Sequence, residues 1–405
     1  MPKISTPKRF LFVLGILIPA IVIFIYITNI IEINPSSGIS SFWSPNWLML
    51  IGCLCSFSGA YIFGIISWQI AVSLAVTTIF LGWFVIMQDW SQIGTAFHNA
   101  NILYIIVSIA PIPLIYVLRV LRWEILMRPV KKLSLGTLMG ATLIGYMASN
   151  VLPLRAGEFI RPAFVKMRYG ASFTGTLATI VVERLLDIVG LAMMLIYVVI
   201  FWPISATTSV HNIFNTSKIA LVLAIVIICT TALILILRYW PEKVKGFFLA
   251  ATKLLPQSVQ QRALLLIDQF VTGLTPLANL QDAALMIFYT IAGWVLDIIS
   301  VYYSARVFGF CMSFSGACFV VICIILAVAL PQAPGYIGTF HWAATLSALL
   351  LQMPKPAAVS FAIFVHAVGI IPVTIAGLLV LWKTGLTLRT VSEQAKNNEV
   401  VPDKD

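Results

Sequence analysis

Apolar positions fall in long unbroken runs rather than in strand-like alternation, near residues 10–31, 47–66, 69–87, 101–118, 135–152, 173–202, 217–237, 284–303, 314–330, 336–352 and 357–382. A hydrocarbon core about 30 Å thick takes about 20 apolar residues per helical crossing, so most of these runs predict membrane-spanning helices. Two runs are cut short. The first ends at Pro153, and the run 314–330 ends at Pro331, with Pro334 and Gly335 close behind. Backbone breaks at membrane depth are tolerated only where the chain is buried in protein or lines a wet cavity. The pattern therefore predicts an all-α fold: a polytopic transmembrane helix bundle with two broken, re-entrant helical elements. "LPLRAGEF" from Leu152 and "LPQAPGYI" from Leu330 share the spacing LPxxxG. Paired breaks in corresponding halves point to an inverted repeat and to a transporter's binding site. Chance explains three matched letters as well, and 314–352 reads equally as a dip or as two crossings.

Composition removes most other classes. The 405 residues are 60% hydrophobic and 10% charged, with a mean hydropathy of +1.02, where a soluble domain carries about 25% charged residues. The opening "MPKISTPKRFLFVLGILIPAIVIFIYITNI" has too long an apolar run for a signal peptide and reads as an anchor that stays. Lysines and arginines gather at the N-terminus, at Arg119 to Lys132, Arg155 to Arg168, Arg238 to Arg262 and in the tail from Lys383. By the positive-inside rule these segments face the cytoplasm, both termini included, in the cell (inner) membrane. The stretch "PEKVKGFFLAATKLLP" reads as an amphipathic helix on an anionic leaflet, and the net charge of +11 fits the same partner without invoking nucleic acid. The six cysteines form no CxxC pair, so no metal site and no cofactor is expected.

Charge inside this apolar chain is then the place to look for chemistry. Arg155, Glu158 and Arg161 are spaced three apart. If Pro153 opens a helix they share one face, two guanidiniums flanking a carboxylate as a phosphate clamp, with an inner-surface loop as the plain alternative. Asn150 precedes them. In "TLATIVVERLLDIVGL", Glu183, Arg184 and Asp187 lie well inside an apolar helix on about one third of its circumference. Charges at that depth must pair or face water or a polar ligand. The triad leaves one negative charge over, which calls for Arg155 or Arg161 as a partner. A purely structural Arg184 to Asp187 bridge is the alternative. Arg119 and Arg122, at the end of a span, read as inner-leaflet anchors first and as a point where phosphate enters second. Asp297 is a lone intramembrane carboxylate for which Arg184 or Arg306 would serve as partner. His341 and His366 sit in apolar surroundings, where a packing histidine is commoner than a proton relay.

The stretches "RVLRWEILMRP", "NVLPLRAGEFIRPAFV", "VVERLLDIVGL" and "LPQAPGYIGTF", in this order, resemble the lysylphosphatidylglycerol synthase transmembrane-region family of flippase-like membrane proteins. The resemblance runs from about residue 70 to 383. It implies a flippase-like domain at 70–383, two additional helices at 1–69 and a polar tail at 384–405. Within it Arg122 and Trp123 match the family's RW. Asn150, Pro153, Gly157, Glu158 and Arg161 match its N-x-x-P-x-x-x-G-E-x-x-R, and Glu183, Arg184 and Asp187 its E-R-x-x-D. The later motif departs, with His341 where the family often has Glu and His366 where an arginine is frequent. That puts headgroup preference in doubt.

The resemblance implies a protein that moves an anionic phospholipid or a polyprenyl-phosphate type intermediate between leaflets. A partner glycosyltransferase or lipid-modifying enzyme would accompany it. The candidate substrate-binding residues are those named above, from Arg119 to Asp297, with His341. The rival is an integral-membrane transferase acting on a lipid phosphate with Glu158, Glu183 or Asp187 as general base.

Overall fold

The computed structural model describes residues 68–86, 89–152, 156–201, 279–329, 334–388 and 390–394, with isolated positions between 240 and 250. The expected N-terminal pair of helices, the amphipathic loop after 238 and Arg155 itself lie outside the described residues. Those described are helical, with no strand among them.

In chain order the helices are α1 (Trp68–Ile86), α2 (Trp90–His98), α3 (Ile102–Ile109), α4 (Pro111–Met127), α5 (Leu135–Val151), α6 (Gly157–Tyr169), α7 (Phe173–Phe201), α8 (Leu280–Val307), α9 (Phe314–Val328), α10 (Thr339–Leu350) and α11 (Lys355–Lys383). A 3₁₀ turn, Pro334–Tyr336, precedes α10. Among the described residues four segments are long and apolar enough to cross a membrane: α3 with α4 as one span, α7, α8 and α11. The chain is thus a multi-pass membrane protein. Outward-facing Ile106, Ile200, Phe288, Ile375 and Leu379 keep the lipid side of these spans apolar.

The short helices carry the breaks. At 1.5 Å per residue α5, α6, α9 and α10 are roughly 18 to 26 Å long, too short for a core of about 30 Å. α5 and α9 both start on a serine whose hydroxyl caps the first turn, Ser134 to the Thr137 amide at 3.3 Å and Ser313 to the Gly316 amide at 3.0 Å. α6 folds back on α5 through Gly157, where an added Cβ would overlap the Gly145 carbonyl and Ser149. The same kind of hairpin forms in α9 and α10. In 314–352 both described helices, of 15 and 12 residues, are shorter than a full crossing needs.

Each half thus reads span, short helix, short helix, long span, the closing span being 29 residues in both. The two halves run in opposite directions. Asn101 at the start of α3 donates to the carbonyl of Val307 at the end of α8 at 3.0 Å, and Arg128 just after α4 meets Asp282 at the start of α8 at 2.9 Å. Packing is exchanged between halves. α5 lies against α11, where Gly377 leaves room for Met147 and Leu143, and α9 lies against α7, where Cys318 meets the Met194 carbonyl. Leu381 of α11 accordingly joins the core around Trp123, Ile144 and Phe164, while Met194 and Val198 of α7 join the core around Ala317, Phe361 and Ala362. The order of elements thus repeats with inverted direction, while part of each LPxxxG stretch lies outside the described residues.

Candidate functional site

Charged side chains from α4, α6, α7 and α8 converge between the two halves. Glu183 is the centre, fully buried on α7. Its Oε2 accepts from Arg161 at 2.9 Å and its Oε1 from Arg122 at 3.1 Å. Arg122 also donates to Asp187 at 2.7 Å and to the Thr290 hydroxyl at 3.0 Å. Arg184 bridges the two acids of its own helix, at 3.6 Å from Glu183 and 3.3 Å from Asp187. Alongside, Arg119 binds Asp297 at 3.2 Å and the Tyr146 hydroxyl at 2.6 Å.

The sequence sets this up locally. Glu183 and Asp187 lie one turn apart on α7, so the single guanidinium of Arg122 on α4 reaches both, while Arg119 one turn earlier on α4 meets Asp297 of α8. Trp123 is held at the rear, its indole donating to Thr179 at 3.0 Å, and the Arg161 guanidinium lies over its ring at 3.4 Å. This cation–π contact orients Arg161 while its charge is shared with Glu183.

Burial is uneven. Glu183, Arg122 and Arg161 are sealed, with side chains at most 5% exposed, whereas Arg184, Asp187, Arg119 and Asp297 keep 22 to 36%. The cluster has a dry base and an open side. At the base Arg161 retains Nε and Nη2 without any hydrogen-bond partner. Those two N–H groups form one edge of the guanidinium, the edge that grips carboxylate or phosphate bidentately.

Several expectations change. Of the expected Arg155–Glu158–Arg161 clamp, Arg155 lies outside the described residues, and Glu158 and Arg161 stand on α6, which runs from Gly157. Arg161 takes Glu183 of the next helix as its carboxylate, and Glu158 pairs with none of the cluster's arginines among the described residues. Arg122 is no surface anchor but is buried at the hub. The extra cation for the α7 triad comes from Arg161, as the charge count required, and from Arg122, which it did not name. Asp297 is partnered by Arg119 and not by Arg184 or Arg306. Arg306 instead donates to Tyr302 at 2.5 Å, beside the rings of Tyr104 and Tyr303. Asn150 donates to Thr374 of α11 at 2.9 Å, tying the first break to the last span. His341 stands apart from the arginines, in ring contact with His366 and Phe84. Among the described residues no three His, Cys, Asp or Glu side chains come together as a metal site.

The residues that build the cluster are the ones through which the chain resembles a known family, and the family's sequence model decides the matter. The model described as the lysylphosphatidylglycerol synthase TM region matches residues 69–377. The chain belongs to this family. Membership makes it an integral-membrane, lipid-related protein of the flippase-like class. No curated protein and no solved structure matches the chain.

Proposed function

We propose that the chain transports lipid, moving a lipid with an anionic phosphate headgroup between leaflets and carrying the headgroup past the arginine cluster. The supporting observation is a charge imbalance at a buried cation. Four arginines (119, 122, 161, 184) face three carboxylates (183, 187, 297), leaving one positive charge, and Arg161 still has two unfilled N–H groups at the base. A phosphodiester carries one negative charge and offers two oxygens at the right spacing for that edge. Glu183 keeps Arg161 neutralised while the site is empty, which lowers the cost of holding the guanidinium in the bilayer.

The polar track runs from Arg128, with Glu124 and Asp282, inward to Arg119 with Asp297. Placing Arg128 and its neighbouring lysines in the cytoplasm by the positive-inside rule makes that end the inner-leaflet mouth. Each buried acid is engaged by at least one guanidinium. Glu183 and Asp187 are thereby poor general bases, which favours transport over a transferase that would use either of them.

The test is leaflet exchange of a fluorescent phospholipid in proteoliposomes, with Arg161→Gln beside the wild type. Exchange is expected in the wild type and absent in the variant, with the variant still folded. Equal exchange in both sinks the reading. Mass spectrometry showing a new lipid species would favour the transferase.

A further inference from the structure

His341 and His366 are the titratable groups that the arginine cluster leaves unused, and the fold places them with purpose. Their rings touch at 4.4 Å between centroids. His341 lies in the first turn of the second short helix of its half and His366 in the closing span, so the second half draws an imidazole pair from the same two kinds of element that supply Arg161 and Glu183 in the first.

Both rings brace the second break. Gly335, Tyr336 and Gly338 take left-handed φ of 74°, 56° and 94°, conformations that cost energy for tyrosine and persist only when held. His366 Nε2 bonds the Gly335 carbonyl at 2.6 Å, so that nitrogen carries a proton. His341 Nδ1 accepts from the Gly338 amide at 3.4 Å, so that nitrogen must be bare. The turn in turn rests on the end of α5, Gly335 facing the Asn150 carbonyl. Around His341 stand Phe84 of α1, Phe340 and His366. His366 is the one titratable group acting on it.

We propose that His341 is a proton-binding site that couples lipid movement to a proton gradient. The inference rests on the transport reading above. A hydronium ion gives its proton to the lone pair of Nδ1: one O–H bond breaks, one N–H bond forms, and a neutral water is left. The ring then presents N–H to the Gly338 N–H, the cap of α10 is lost, and the cation meets the positive end of that helix. The strained turn loses one of its two braces and comes away from Asn150, opening the contact between the two breaks. His366 keeps its bond in either charge state and serves as the fixed brace.

His341→Asn is the discriminating variant, because the Asn carbonyl oxygen stands near the place of Nδ1 and accepts the Gly338 amide at any pH. Hydrogen exchange of amides 335–342 is measured on the full chain in lipid at about pH 7.5 and about pH 5.5, either side of histidine's ordinary value near 6.5. Each reading is taken relative to the variant, so that the intrinsic pH dependence of exchange cancels. Expected is a several-fold faster relative exchange at the lower pH and a lipid flux that follows an imposed pH gradient in the wild type alone. Relative exchange that is the same at both pH values, or flux that ignores the gradient, overturns the proposal. No flux in the wild type under any condition would instead sink the transport reading, and the exchange data would still report whether the turn responds to protons.

Discussion

Arg161 with Glu183 in the first half, and His341 with His366 in the second, each join the second short helix of their half to its closing span, yet one pair is permanently charged and the other has no fixed charge. The difference lies in what surrounds them. Glu183 is shared by Arg122, Arg161 and Arg184, and Asp187 joins the same network. Removing any one member leaves charge stranded in a dry place. The imidazoles have phenyl rings and two backbone groups for company. On the reading proposed above, one side holds an anion against a constant field and the other responds to a proton.

The comparison is broken most severely by Glu183→Ala, which leaves the buried Arg161 without a carboxylate and takes one of their two acids from Arg122 and Arg184. Loss of one partner of a buried pair costs about 3–5 kcal/mol, so thermal unfolding in detergent should show the largest fall in midpoint of any single change here. Adding Arg161→Ala should restore part of that loss, because the stranded charge goes with it. His341→Asn, the matching change in the second half, should leave the midpoint nearly unmoved.

Next in size is Gly157→Ala, where the new methyl would overlap the Gly145 carbonyl and Ser149. Such overpacking costs about 1–3 kcal/mol. Gly369, where nothing lies within 4 Å of an added Cβ, should tolerate alanine without loss in the same assay.

Asp297→Asn sharpens the charge argument. It removes a half-exposed partner of Arg119 and takes the cluster from one excess positive charge to two, so the affinity for an anionic headgroup lipid should rise. Native mass spectrometry of retained lipid, or the concentration at half-maximal exchange, reads this directly. Smallest is Arg128→Ala. Its side chain is 44% exposed and its pairs with Glu124 and Asp282 lie at the surface, where exposed ion pairs are worth about 0.2–1 kcal/mol and are screened by salt.

The helices, the two breaks and the sites of buried charge were legible because each rests on local rules. Apolar run length sets a span, proline and glycine stop it, and an ionisable residue deep in such a run must find a partner. Helix boundaries were less legible. Proline favours a first helical turn, which makes Pro153 one candidate start for α6 in the sequence; the described helix runs from Gly157, where the close crossing with α5 requires glycine. Arg122 was misread for a similar reason: near the end of a span, next to Arg128, it looks like a residue that reaches for the membrane surface.

From the chain alone came a membrane-embedded helical bundle and a short roster of residues that need a polar environment, since solvation cost depends on residue type and depth, both readable along a helix. Pairing was another matter. That Arg122 meets Glu183 and Asp187, that Asp297 meets Arg119, and that two distant histidines touch depends on which helices lie side by side. Antiparallel packing of the halves settled this, because electrostatic attraction acts through space over a few ångströms while the partners lie up to 178 positions apart along the chain.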